Sequence, residues 1–400
     1  MPVILLAIFI DLVGFGIIVP LLPFLTLTYG ADTLTGTALI SVYALAAFTI
    51  GPVWGRISDR IGRKPTLVIT FLGAALAYLM LALSSSLLMV FVARALSGAM
   101  TGNIGVVMAV MADLTDEENR GKAMGWIGGA FGLGFAFGPG IGGYLSKVGG
   151  ENIIFLPAMV ACGLSLFAMI LTAIYVPETN PVSPKDKAET SSPSDETPSN
   201  SWRDIILTPT RMSLFMMFVV TAVAQSISFS IAPFWMAEVL GWDQGDVGLI
   251  LMGAGILVFL FQVWLIGPLF KAIGEARSLQ FCAVFHVIGC LILILGPEKP
   301  ITAAISFPLV LGALSVSYPA LNSLLSKRTD RRIQGAALGL SNGVSSLGRI
   351  AGPLAAGLLF SAQSPGAPFV IVSVIGVAIF AWAWWEHIKS PYRKAPMPPE

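Results

Sequence analysis

The sequence predicts an all-α membrane protein, with twelve transmembrane helices arranged as two pseudo-symmetric six-helix bundles. Three observations carry this expectation: an excess of apolar residues, positive charge that alternates between successive loops, and an internal repeat. Of the 400 residues, 56% are hydrophobic, against about 45–50% in a typical soluble domain. Only 11% are charged, where about 25% is usual. So few charges cannot cover a soluble surface, which excludes a soluble globular enzyme and a disordered chain. A net charge of +1 creates no field that would gather nucleic acid. The surplus apolar surface must face lipid.

A spanning helix needs about 20 mostly apolar residues. The first half offers six such runs, 2–28, 37–54, 65–83, 87–112, 122–145 and 153–176. The second half offers 211–236, 246–270, 278–296, 302–325, 334–361 and 367–388. Continuous runs of this length indicate helices, because barrel strands alternate over about ten residues. The first run lacks a basic leader and outlasts a signal-peptide core, so it reads as a span. Nineteen of the 23 Lys and Arg residues fall in alternate connections and the C-terminal tail. Only Lys147 and Lys299 fall in the other connections, while Arg94 and Arg349 lie inside spans. This asymmetry predicts that both termini are cytoplasmic. The hydrophilic stretch 177–208 cannot bury enough apolar area to order itself. It reads as a flexible cytoplasmic linker between an N-terminal bundle (1–176) and a C-terminal bundle (209–388), with a cytoplasmic tail at 389–400. Cys162, Cys282 and Cys290 lie in apolar stretches, with no disulfide framework and no zinc spacing.

The halves echo each other. Thr115, Asp116, Gly121, Gly125, Gly134, Gly138 and Pro139 recur 214 residues later as Thr329, Asp330, Gly335, Gly339, Gly348, Gly352 and Pro353. Gly55 and Gly62 recur 212 residues later as Gly267 and Gly274. The match lapses where chemistry can sit: Asp59 meets Lys271, and Asp11 falls opposite Gln225 at the 214 offset.

Between spans 2 and 3 lies GRISDRIGRK, residues 55–64. Gly55 and Gly62 permit a tight turn. Asp59 is suited to a helix N-terminus, and Arg60, Arg63 and Lys64 to acids at neighbouring helix ends, Asp113 first among them. Span 5 reads GWIGGAFGLGFAFGPGIGG from Gly125 to Gly143, with nine glycines in nineteen residues. Gly134, Gly138 and Gly142 form one smooth face for close helix packing, and Pro139 allows a bend. The first stretch resembles the loop signature of the major facilitator superfamily, and the second the signature of its exporters. Together with IDLVGFGIIVPLLPFL in span 1 and ARALSGAMTG in span 4, they resemble the tetracycline-efflux branch of the drug–proton antiporters over essentially all twelve spans. The resemblance implies two bundles around a central cavity, parallel repeats of the kind such transporters use. It also implies a gating set of Gly55, Asp59, Arg60, Gly62, Arg63, Asp113, Arg120, Gly134, Gly138 and Pro139, and residence in a bacterial inner membrane.

Ionisable residues inside a span are costly and are functional candidates. Asp11, some ten residues into span 1, is the candidate proton carrier, since burial raises a carboxyl pKa and a nearby cation lowers it. A packing hydrogen bond or a permanent ion pair with Arg94 is the alternative. Arg94 either tunes Asp11 or bonds helix to helix. His286, in span 9, is a third proton-coupling candidate or a packed core histidine. Arg349 shares a polar stripe with Asn342, Ser345 and Ser346, which points to a water-filled cavity and an anionic or zwitterionic group on the substrate. Gln225, Phe229, Gln262, Tyr318 and Asn322 join it as candidate substrate-binding residues, a mixture suited to amphiphilic ligands. The chain departs from the tetracycline exporters at His286, Val258 and Ala47, where that branch carries an acid, a histidine and a glutamine.

The expected function is secondary active transport that exports small amphiphilic compounds or drugs in exchange for protons by alternating access. The alternative is a proton-coupled or facilitative carrier of an anionic metabolite. No nucleophile–base pair, metal triad or phosphate loop suggests an enzyme, and no cofactor is called for. The expected partners are a small-molecule substrate, protons and the bilayer. One chain already supplies both halves of the cavity, so a monomer is the expected functional unit.

Overall fold

The computed structural model describes residues 2–115, 117–150, 152–179, 209–297, 299–329 and 333–389, and among them it is helical throughout, with no strand. Each of the twelve predicted spans falls on a helical run. α1 covers residues 2–28, in which Pro20 and Pro23 accompany a 3₁₀ turn at Val19–Leu21. α2 is Thr33–Ile61, α3 Arg63–Ala82, α4 Leu87–Thr101 continued as Ile104–Asp113, α5 Glu117–Val148 and α6 Phe155–Tyr175. In the second half α7 is Pro209–Leu240 and α8 starts as Gln244–Leu260 and passes through a π-helical turn at Phe261–Leu265. α8 ends at Gly274, whose non-helical backbone divides it from α9, residues 275–295. α10 is Pro300–Ser315 continued as Ser317–Lys327, α11 Gln334–Ala362 and α12 Ala367–Lys389. Ten helical runs among the described residues are long and apolar enough to cross a membrane, and one of these, Gln244–Leu295, holds two predicted spans. Large apolar side chains stand exposed along their outer faces, such as Leu76, Leu88, Ile174, Leu295 and Val374. That is the surface a lipid solvent requires. Of the predicted linker, only residues 177–179 lie within the described residues, and of the predicted tail only Lys389.

The repeat is visible in the packing. α1 packs on α5 and α6, α2 on α4, and α3 on α6; α7 packs on α11 and α12, α8 on α10, and α9 on α12. The turn after α2 is set by Gly62 (φ 102°, ψ 159°) and the turn after α8 by Gly274 (φ 78°, ψ 165°). These positive φ values favour glycine. At both turns a hydroxyl four residues on donates to the glycine carbonyl, Thr66 at 2.8 Å and Ser278 at 2.7 Å. The fourth helix of each bundle breaks at the same place, α4 at Gly102 and α10 at Val316.

Helix contacts correct one register. A Cβ on Gly134 would lie 2.6 Å from Leu12 Cβ, and one on Gly348 2.8 Å from Ala222 Cβ. A Cβ on Gly138 would lie 2.5 Å from Gly16 Cα, and one on Gly352 2.7 Å from Ser226 Cβ. α1 and α7 are therefore related by 210 residues, not 214. Asp11 stands opposite Thr221, and Gln225 stands opposite Phe15. The connections between repeated helices differ in length, so no single offset holds through a bundle.

The glycines of α5 serve two neighbours. Gly134, Gly138 and Gly142 face α1, the smooth face read from the sequence. Gly140, Gly143 and Ala136 face Met252, Gln244 and Gly255 of α8, in the other bundle. The second inter-bundle seam joins α2 to α11, where Ser41 Oγ donates to Ile350 O at 2.9 Å and a Cβ on Gly357 would meet Leu34 and Thr37. Both seams lie toward the C-terminal end of α5 and the N-terminal end of α2, the face away from the 55–64 loop. Nearer that loop, Val263, Trp264 and Leu265 of α8 are exposed.

Adding a methyl where backbone meets backbone should be costly. Gly142→Ala places a Cβ on the Ile17 carbonyl and should destabilise by about 1–3 kcal/mol, the usual range for overpacking. Gly163→Ala points into open space and should leave the thermal midpoint in detergent unchanged or slightly raised.

Candidate functional site

Asp11 and Arg94 lie deep within the spans of the N-terminal bundle. Asp11, partly buried on α1, accepts a hydrogen bond from Ser165 Oγ of α6 at 3.3 Å. Arg94 of α4 is 1% exposed, and none of its guanidinium nitrogens has a hydrogen-bond partner. It rests on aromatic faces instead, 4.6 Å from the Tyr43 ring centroid and 5.7 Å from that of Phe15. Such contacts contribute about 0.5–2 kcal/mol, more when desolvated. Among the described residues, Asp11 and Arg94 form no ion pair. A small cavity beside Asp11 is also lined by Phe71, Thr101, Asn103 and Ile104, where α4 breaks. Asn103 is buried and donates to Thr70 Oγ1 at 2.8 Å.

From Arg94 an aromatic row runs into the other bundle. Tyr43 and Phe15 lie 4.8 Å apart, Phe15 and Phe135 5.5 Å, and Phe135 and Phe229 of α7 5.5 Å. Phe229 is a candidate on sequence grounds; Phe15, Tyr43 and Phe135 join it only through the fold. Phe15 stands four residues after Asp11, on the same helix face, which was the available signal. Tyr43 has no sequence signal, because only folding brings α2 against Arg94.

The repeat turns this row polar in the second half. Phe15 and Phe135 touch; their repeat counterparts are Gln225 and Arg349. Gln225, Asn342 and Arg349 are exposed, and Phe229 and Asn322 are partly buried. Tyr318 is exposed and meets Phe218 edge-on at 5.8 Å. Ser341 Oγ reaches Asn322 Oδ1 at 3.4 Å and ties α10 to α11. Ser345 is buried and donates to the Ser341 carbonyl, so its hydroxyl is spent on its own helix. Gln262 lies partly buried on the π-helical turn of α8. His286 is not brought to Asp11 or Arg94. It is 1% exposed between α9, α10 and α12, with Nδ1 3.3 Å from Val310 O and Nε2 3.3 Å from Val372 O.

At the 55–64 turn, Arg63 pairs with Asp59 at 2.7 Å and lies 3.7 Å from Asp113, the partner predicted for this loop. Thr179 donates to Asp113 at 3.0 Å. The carboxylate at the N-terminus of α3 is Glu178, not Asp59. It accepts from the backbone N–H groups of Arg63 at 2.9 Å and Lys64 at 3.1 Å. Asp59, on the last turn of α2, is drawn to the Arg63 side chain instead. Arg60 is exposed, and a Cβ on Gly55 would meet nothing. Pro139 is buried within α5, and the Arg120 side chain lies outside the described residues. In the second half Glu275 pairs with Lys327 and accepts from Ser323 at 2.7 Å. Glu275 is the repeat counterpart of Arg63, and Lys327 that of Asp113. The contact is kept with its signs exchanged. All of these loop contacts stay within one bundle.

A family model described as Major Facilitator Superfamily matches residues 4–312 and, separately, 214–399. The chain belongs to that superfamily. It is 30% identical to the class H tetracycline resistance protein of Pasteurella multocida, over 90% of this chain and 88% of that one. It is 31% identical to the class B tetracycline resistance protein of Escherichia coli, over 89% and 87%. It is 26% identical to the quinolone resistance protein NorA of Staphylococcus aureus, over 93% of each chain. Among solved structures, the nucleoside transporter NupG superposes with a TM-score of 0.72 at 16% identity, covering 97% of this chain and 98% of that one. The human organic anion transporter MFSD10 superposes with a TM-score of 0.69 at 20% identity, covering 96% and 98%. These two share the fold of this multi-pass membrane protein.

The exchanged ion pair makes a direct test. Glu275→Lys sets two cations together and should lower the thermal midpoint. Glu275→Lys combined with Lys327→Glu should restore most of the loss.

Proposed function

We propose that this superfamily member exports small amphiphilic compounds across a bacterial inner membrane in exchange for protons. The observation that carries the reading is the division of labour between the bundles. One holds a carboxyl and a desolvated cation within its spans, and the other presents Gln225 and Arg349 as the repeat counterparts of Phe15 and Phe135, beside Phe229 where the aromatic row crosses over. Relatives with tetracycline, quinolone and multidrug resistance in their names support export. The departures at His286, Val258 and Ala47 leave tetracycline itself without its full set of partners, so the substrate class is the broader one. Phe135 and Phe229 offer ring faces to an aromatic compound, and Arg349 offers a cation to its anionic or polar end.

Asp11 is the proton carrier. A carboxyl inside a bundle is protonated cheaply when no cation pairs with it. In that form it accepts from Ser165 while the aromatic faces hold Arg94. Loss of the proton leaves a carboxylate that attracts Arg94 away from Tyr43. The two forms thus prefer different helix arrangements. Protons and substrate compete through the conformational equilibrium and need not share a site. In this reading the 55–64 loop is cytoplasmic, and the closed face away from it is the outer one.

Asp11→Asn should abolish protection of an efflux-deficient host against amphiphilic drugs at equal membrane expression. Phe229→Ala should weaken protection selectively for aromatic compounds, by about 1–3 kcal/mol of binding, comparable to loss of a buried apolar side chain. Unchanged resistance in Asp11→Asn refutes the proton assignment.

A further inference from the structure

The seam between α5 and α8 ends in a charge pair that the transport chemistry does not use. Lys147 Nζ lies 2.8 Å from Asp243 Oδ2, and both side chains are about half exposed. Of the ion pairs among the described residues, this one joins the two bundles. The others lie within one bundle or the other: Arg63–Asp59, Arg63–Asp113, Lys327–Glu275 and Arg328–Glu386. Asp243 has a second duty. Its Oδ1 caps α8, accepting from Gly245 N at 2.8 Å and Asp246 N at 3.0 Å. The Lys147 stem crosses Gly245 so closely that a Cβ there would lie 2.7 Å from Lys147 Cδ. The cation therefore reaches over the start of α8, and the glycine provides the room.

We propose that Lys147 and Asp243 are gating residues, a latch that holds the face away from the 55–64 loop closed and parts whenever the cavity turns to that face. The inference rests on the rocking motion of the proposed function. The geometry suits a reversible latch. Oδ1 caps the helix while Oδ2 meets the lysine, so the pair separates without unravelling α8. An exposed pair contributes little, so it biases the equilibrium without locking it. Lys147 is held in its charged form above the usual lysine range, chiefly by the hydrogen bond to Asp243. Partial burial opposes ionisation of Asp243, but Lys147 and the backbone donors outweigh it and hold the carboxyl below its usual range. Asp246, on the first turn of α8, adds a second negative charge within reach of Lys147.

The test places spin labels at Leu83 and Gln363, exposed positions at that face in opposite bundles, on the full chain in lipid nanodiscs with its three native cysteines replaced. Distance distributions give the ratio of closed to open molecules. Lys147→Met and Asp243→Asn should each lower that ratio about twofold to fivefold, the range of an exposed pair. Asparagine keeps the helix cap, so the second variant isolates the charge. The double variant should fall no further than either single one, because the coupled interaction is already lost. Unchanged ratios, or a double variant equal to the product of the singles, overturn the latch. One short distance in every variant overturns the latch and the rocking motion together. Shifted ratios in a protein that exports nothing support the latch and refute the proposed function alone.

Discussion

Backbone contact along α5 is the constraint from which the rest of the architecture follows. In lipid, helices gain no hydrophobic drive from meeting each other, so they associate through close packing. One face of α5 lets α1 approach through Gly134, Gly138 and Gly142, which builds the N-terminal bundle. Another face lets α8 approach at Gly140 and Gly143, which joins the bundles. The same helix carries Phe135, the ring that links Phe15 to Phe229 across the interface. One helix thus both builds a bundle and forms the seam between the bundles.

The repeat preserves the scaffold and changes the chemistry. The glycine turns, the broken fourth helices and the proline-containing α5 and α11 all recur. The ionisable groups inside the spans do not. Asp11 becomes Thr221, and the contacting rings Phe15 and Phe135 become Gln225 and Arg349. At the loops the pair Arg63–Asp113 returns as Glu275–Lys327. A salt bridge needs opposite signs but no fixed direction, so an exchange of both partners keeps the contact. The proposed transport chemistry depends on direction, and in that proposal the asymmetry divides proton handling from substrate handling.

The sequence made the helices legible because their cause is composition. A run of twenty apolar residues has one stable form in lipid, whatever its neighbours. The repeat was legible at α5 and α11, where glycine and proline are held by close contacts. Its register across α1 and α7 was not, because the intervening loops differ in length and the apolar positions of those helices tolerate a four-residue shift. The Arg63–Asp113 pair was legible from opposite charges at neighbouring helix ends. The Glu178 cap on α3 was not, because it depends on where the end of α6 returns. Tyr43 and Ser165 escaped notice for the same reason: each reaches its partner from another helix. The sequence left His286 open between a proton-coupling group and a packed core histidine; only the fold shows its ring between two backbone carbonyls, in the bundle that does not hold Asp11.

The central claim is that proton and substrate act at different places and meet only through the shared conformational change. The most direct measurement compares two modes of transport by Asp11→Asn in proteoliposomes: substrate exchange without a pH gradient, and accumulation driven by one. The account expects exchange to persist, since the aromatic row, Arg349 and the rocking seam are intact, while gradient-driven accumulation disappears. Loss of both modes in a correctly folded variant would place Asp11 in the substrate path and contradict the separation.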